Sequence, residues 1–193
     1  MANILALDIG TTCGWAAADE HAPPLPAPSP LLGGEAAAKE ALRHYHHGVW
    51  TIEGIRGAYY LRFSDWLTHK VDTFEPQVLA IEASVEGWLN MASAKKDQFG
   101  KRTRTTNPDT IRKLLGILAI CETVAAMRGV PITEVNTSRM QMLAVGTGRD
   151  SNKAKRKERG RALGLRCCDN ELDGIFTLSC VLHDRQAARR NAA

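Results

Sequence analysis

Two short apolar runs that each stop on a carboxylate set the strongest limit on how this chain folds. Ile4-Leu5-Ala6-Leu7 ends at Asp8, and Val78-Leu79-Ala80-Ile81 ends at Glu82. Each run is too short for a buried helix and carries no polar face, so each reads as an interior strand. Interior strands need cover on both sides of their sheet, and the stretches between them must supply it.

Those stretches read as follows. Gly10, Thr11 and Thr12 suit a tight turn after Asp8, with Cys13 to Ala18 returning as a hairpin partner. The segment from about 19 to 47 holds five of the eight prolines and Gly33-Gly34, which predicts a loop insertion or mobile flap with a short helix from Glu35 to His44. Gly48 to Ile52 closes an antiparallel meander. Tyr59 to Val71 has helical spacing through Leu61, Trp66, Leu67 and Val71, and Ser84 to Thr106 reads as a loop.

Asn107-Pro108-Asp109 opens a helix that runs over 108–128 and stops at Gly129, with Pro131 just beyond. Two apolar stripes run along it. Ile111, Leu114, Leu115, Leu118 and Ala125 make one, and Ile117, Ile120, Val124 and Met127 make the other. A helix apolar over most of its circumference is covered on two sides. The sheet supplies one side, and a second copy of the chain is the natural candidate for the other, giving a homodimer through helix 108–128. Ile132 to Val135 then predicts a strand, Thr137 to Leu143 a short helix, and Lys153 to Leu163 a basic helix. A last helix, capped by Asp169-Asn170, runs to about Ala187. The fold class is α/β: one domain over 1–193, with a mixed five-stranded sheet flanked by helices.

Charge narrows the partners. Between Lys95 and Arg166 stand 17 Lys/Arg against 6 Asp/Glu, a local balance of +11 that leaves −7 for the remainder. So lopsided a segment fits a polyanionic partner or a solvated helix face. No apolar run approaches the roughly 20 residues that span a bilayer, and the opening run is a strand rather than a signal peptide. Cys13, Cys121, Cys167, Cys168 and Cys180 form no zinc spacing, so free thiols in a reducing cytoplasm, bacterial or phage-infected, are expected. His44, His46 and His47 match no standard metal site and read as surface histidines.

Chemistry is carried by carboxylates placed where burial makes them costly. Asp8 and Glu82 end strands, and Asp173 lies one turn inside an apolar helix. Clustered acids stay ionised when a cation neutralises them, and oxygen-only ligation favours Mg²⁺, with Mn²⁺ as substitute. Two such ions activate water and stabilise the leaving oxygen of a phosphodiester. On the last helix Asp169, Asn170 and Asp173 share a face while Glu171 points elsewhere, which makes Asn170 and Asp173 the pair expected at the metals.

The run from Ile4 to Ala16, Val78 to Glu82, Gly146-Thr147-Gly148 with Lys153, and Asp169 to Asp173 together resemble the RuvC-like crossover junction endonucleases, especially the compact phage versions. The resemblance covers nearly the whole chain apart from the insertion. It implies a ribonuclease H-like fold, a homodimer on a four-way DNA junction, and Mg²⁺-dependent hydrolysis leaving 5′-phosphate and 3′-hydroxyl ends. Asp8, Glu82 and Asp173 fall on the family's metal ligands. Asn170 falls where Asp or His is usual, and Lys153 or Lys155 falls where a lysine supports the scissile phosphate. Lys95, Lys96, Lys101, Arg102 and Arg104, with Lys153, Lys155, Arg156 and Lys157, are then expected on DNA phosphates. Two departures stand out. Gly174 replaces an expected alanine, and Trp88 and Phe99 are the aromatics left to stack at a junction.

Three rivals compete. Asp8 to Thr12 also resembles the first phosphate loop of sugar kinases and actin, but a second lobe and a second glycine-rich motif are missing. A YqgF-like RNA-processing nuclease shares the opening motif. A catalytically inactive branched-DNA-binding protein draws its support from Asn170.

Overall fold

The computed structural model describes residues 3–10, 12–26, 34–51, 57–82, 95–96, 102–103, 108–146, 153–165 and 169–192. In chain order the first elements are β1 (Asn3–Asp8), β2 (Thr12–Asp19), α1 (Gly34–Leu42), β3 (His46–Thr51), α2 (Ala58–Phe74) and β4 (Pro76–Glu82). There follow β5 (Lys95–Lys96), β6 (Arg102–Thr103), α3 (Pro108–Arg128), β7 (Ile132–Glu134), α4 (Thr137–Val145), α5 (Lys153–Ala162) and α6 (Asp169–Ala192). Five strands form one sheet in the order β3-β2-β1-β4-β7. The β1–β2 and β2–β3 pairs are antiparallel, and β1–β4 and β4–β7 are parallel, which is the mixed sheet the sequence predicts. β5 and β6 pair separately as a short antiparallel ribbon inside the expected 84–106 loop.

Alternation along β1 and β4 splits the core in two. Ile4, Ala6, Val78 and Ala80 face a layer built from α6, with buried residues of α1 and α4 beside it. Leu5, Leu7, Leu79 and Ile81 face α2 and α3. Helix α2 buries Tyr59, Phe63, Leu67 and Val71, a stripe spaced by four residues. Leu61, expected in that stripe, is 69% exposed instead. Its neighbour Phe63 takes the core position and packs its ring, tilted, against Trp50 and Trp66.

Helix α3 buries one continuous stripe of Leu114, Ile117, Leu118, Cys121, Val124 and Ala125 against that same layer. The two stripes of the sequence reading merge across one wide face, because 3.6-residue periodicity places Leu114, Ile117 and Cys121 along a single line. Outside it, Leu115 and Met127 stay exposed.

The proline-rich insertion is not a free flap over the residues described. Its first part is strapped onto α6 and α5. The Leu25 N–H donates to Ser179 Oγ at 2.9 Å, and His183 Nε2 lies 2.8 Å from the Leu25 carbonyl. Tyr45 Oη donates to the Pro23 carbonyl and Arg159 Nη2 to the Pro26 carbonyl, each at 3.0 Å. Proline suits such a strap because it leaves no backbone N–H to satisfy while its carbonyl still accepts. Ala38, Ala41, Leu42 and Tyr45 then continue the insertion into the core. Residues 27–33 lie outside the described part.

Cys13, Cys121 and Cys180 are buried free thiols, as expected, while Cys167 and Cys168 lie outside the described residues. No helix among the described residues is long and apolar enough to cross a membrane.

Candidate functional site

Parallel pairing of β1 with β4 sets Asp8 directly beside Glu82, at the carboxyl ends of adjacent interior strands. Both follow the alternation of Ile4–Ala6 and Val78–Ala80, which places them on the α6 side of the sheet. On its other side Asp8 is opposite Gly14 of β2. Two carboxylates are thereby fixed by strand register alone.

Helix α6 reaches them through a close backbone approach. A Cβ placed on Gly14 would lie 1.6 Å from the Asn170 carbonyl oxygen, and one on Gly174 would lie 2.8 Å from the Trp15 backbone nitrogen. Two glycines thus let the first turns of α6 lie directly on β2, beside Asp8. Gly174 is therefore a packing requirement, and the alanine expected at that position has no room. Asn170 meets the sheet through its carbonyl at this crossing, and Asp173, one turn on, is 8% exposed.

Asp173 forms a buried ion pair with Arg156 of α5. Helix α5 is in turn pressed against α6 at Gly160, where a Cβ would come within 2.8 Å of the Leu172 side chain. Glu82 lies in the same field. Its pKa is pushed up to about 7, first by burial and then by the charge of Asp173, while a hydrogen bond from the Thr137 hydroxyl and the Arg156 charge oppose the shift. Glu82, Asp173, Arg156 and Thr137 therefore share one corner with Asp8. Thr137 was not singled out from sequence. Its signal is the preceding Asn136, whose side chain caps α4 by accepting from the Ser138 and Arg139 N–H groups.

Other predicted residues separate from this corner. Glu171 turns to β3, where its carboxylate lies 2.7 Å from His47 Nδ1, so His47 is a packed partner rather than a plain surface histidine. Asp169 pairs with Lys157 at 3.3 Å. Lys155 is exposed, but Arg156 is buried and faces the acids, unlike the phosphate-tracking side chains expected on both sides of it. Lys95, Lys96 and Arg102 sit on the β5–β6 ribbon, and Lys153 opens α5, with their side chains outside the described part. Lys101, Arg104, Trp88, Phe99, Thr147 and Gly148 lie outside it altogether. Cys13, close to Asp8, donates to the Gly10 carbonyl and is held protonated, its pKa pushed up to about 12 chiefly by burial. Such a thiol is no nucleophile at neutral pH.

The donor set suits a hard divalent cation, since it is oxygen-only and its acids repel one another. As the side chains stand, no three His, Cys, Asp or Glu among the described residues form a ready metal-holding group. Arg156 supplies a positive charge at Asp173.

Glu82 gives this corner a pH signature when divalent cations are chelated. Its folded-state pKa of about 7 lies above the ordinary 4.5, so the folded chain holds this proton more tightly than the unfolded chain does. The stabilisation is complete below about 4.5 and is lost as pH rises through about 7. Urea unfolding in chelator should show stability falling over that interval by at most about 3 kcal/mol. Glu82→Gln should flatten the slope, and an unchanged slope in that variant would place the titration elsewhere.

No family model matches the sequence, and no curated protein is detectably similar to it. Solved structures do match. RuvC of T. thermophilus in complex with Holliday junction substrate superimposes with a TM-score of 0.58 at 12% identity, over 98% of this chain and 96% of that one. A Thermus thermophilus RuvC structure gives 0.58 at 14% identity, over 97% and 96%. The yeast mitochondrial Holliday junction resolvase Ydc2 gives 0.54 at 12% identity, over 98% of this chain and 82% of that one. Likeness at this level of identity establishes the fold, which is the mixed-sheet, ribonuclease H-like architecture of these proteins.

Proposed function

We propose that this chain is a structure-selective endonuclease that hydrolyses phosphodiesters in four-way DNA junctions or related branched DNA. The observation that carries this reading is the meeting of Asp8 and Glu82, by strand register, with Asp173, by the glycine-mediated crossing of α6. It occurs on a fold shared with a RuvC bound to a Holliday junction substrate.

In this reading Asp8, Glu82 and Asp173 hold Mg²⁺ or Mn²⁺, with Asn170 at the fourth position. Bound ions of this kind supply an activated water and neutralise charge on the leaving oxygen. The chain's own part is to fix the oxygen donors on rigid elements and exclude competing ligands. Lys153, Lys155 and Lys157 of α5, and Lys95, Lys96, Lys101, Arg102 and Arg104 around the ribbon, engage phosphates and orient the strand. A homodimer through α3 would use its uncovered side, where Leu115 and Met127 are exposed. The whole chain acts as one domain, in the cytoplasm.

Labelled four-way, Y-shaped and linear DNA, incubated with and without Mg²⁺, test this directly. Symmetric nicks confined to the branched forms, and absent in chelator, are expected. Equal cutting of linear duplex would remove the structure selectivity. Junction binding without cutting in either Mg²⁺ or Mn²⁺ would make the chain a binding protein.

A further inference from the structure

Arg156 lies in a basic helix, yet it behaves unlike its neighbours. Lys155 and Lys157 are exposed, whereas Arg156 is 9% exposed and its guanidinium pairs through Nη1 with Asp173. Its charge also reaches Glu82, where it favours ionisation. The guanidinium thus stands in the acid corner as a buried positive charge.

The fork is only partly used. Arg156 Nε is buried without a hydrogen-bond partner among the described residues. An unpaired buried donor carries a desolvation penalty of about 1–3 kcal/mol. Arg159 of the same helix also leaves its Nε unpaired while it tethers the Pro26 carbonyl, so what sets Arg156 apart is its place among carboxylates. A partly satisfied guanidinium among such acids is a counter-ion that a better-matched cation displaces. Helix α5 does not depend on the ion pair alone for its place, since Gly160 rests on Leu172 and Leu163 is buried in the core. Displacement then requires rotation of one side chain, not movement of a helix.

Resting on the reading that Asp8, Glu82 and Asp173 take up a divalent cation, we propose that Arg156 is the resident counter-cation of this corner. Arg156 and the divalent ion occupy Asp173 alternately. This alternation makes Arg156 a positioning residue that sets the affinity for the ion and, once released, adds a guanidinium to the helix bearing Lys153, Lys155 and Lys157.

Calorimetric titration of Mn²⁺ into the wild type, Arg156→Met and Arg156→Lys tests the competition. The methionine variant should bind about tenfold more tightly, an ordinary size for coupling between two occupants, and the lysine variant should fall between it and the wild type. Loss of charge alone also raises cation affinity, so a second measurement uses the wild type. The ¹⁵N signal of Arg156 Nε is followed as Mg²⁺ is added, and it should shift in step with binding. If Mn²⁺ binds the wild type but the Arg156 signal stays fixed, or Arg156→Met binds no more tightly, the alternation is wrong and the metal reading stands. If Mn²⁺ binds neither the wild type nor Arg156→Met, both fail together.

Discussion

Asp8→Asn should lower the rate of junction cleavage by at least about a thousandfold, at the upper end of what loss of one charge-stabilising group does in a nuclease-type site. The substitution keeps shape and removes only charge, at a position held by two strand pairings that do not involve the side chain. Junction binding, which draws on the basic residues of α5 and the ribbon, should stay within about threefold of wild type. Asp173→Asn should lose as much activity by a physically different route. There the buried Arg156 guanidinium also loses its charged partner. That variant should be less stable by about 2 kcal/mol, since an orphaned buried charge is costly even where a neutral acceptor remains. Cleavage assays, mobility shifts and urea unfolding on the two variants separate these effects. Cutting that survives both substitutions would remove the carboxylates from the chemistry.

How much of this was legible in the sequence follows from which residues carry directional information. Asp8 and Glu82 were legible because an apolar run of strand length fixes both the element and the end at which its acid stands. Their adjacency then came from parallel register. Asp173 was legible from helical spacing. Arg156 was not, because α5 is charged nearly throughout and a charge pattern does not say which face packs. Gly160 and Leu163 mark that face, and in the sequence Leu163 reads only as the end of the basic helix. Leu61 misled for a related reason. Tyr59, Leu61, Phe63, Trp66 and Leu67 offer several helical phases, and the aromatic neighbours Trp50 and Trp66 select the one that buries Phe63. The insertion was legible as a loop with a short helix, which the described residues show. Whether the carbonyls of Pro23 and Pro26 meet solvent or side chains such as Tyr45 and Arg159 is decided by tertiary structure.

Gly174→Ala sets two principles against each other. Helix propensity alone predicts a gain of up to about 1 kcal/mol, since alanine replaces glycine inside a helix. The packing predicts a loss, because the new methyl would meet Trp15 N at 2.8 Å, Gly14 C at 2.9 Å and Trp15 Cα at 3.0 Å. All three are backbone atoms of an interior strand, so no flexible side chain can move aside. Overpacking of this kind destabilises by about 1–3 kcal/mol, which outweighs the propensity. Gly14→Ala is the harsher test, with its methyl 1.6 Å from the Asn170 carbonyl oxygen. It should lower stability by about 3 kcal/mol or more, a fall in Tm of roughly 6–12 °C for a chain of this size. Because the only relief is to lift the start of α6 off β2, Asn170 and Asp173 should leave Asp8 and Glu82 together. Cleavage should then fall further than the fraction of unfolded protein explains. Thermal melts and rates on the folded fraction of both variants measure this. A Gly174→Ala protein more stable than wild type would mean that α6 does not lie on β2 as closely as the acid corner requires.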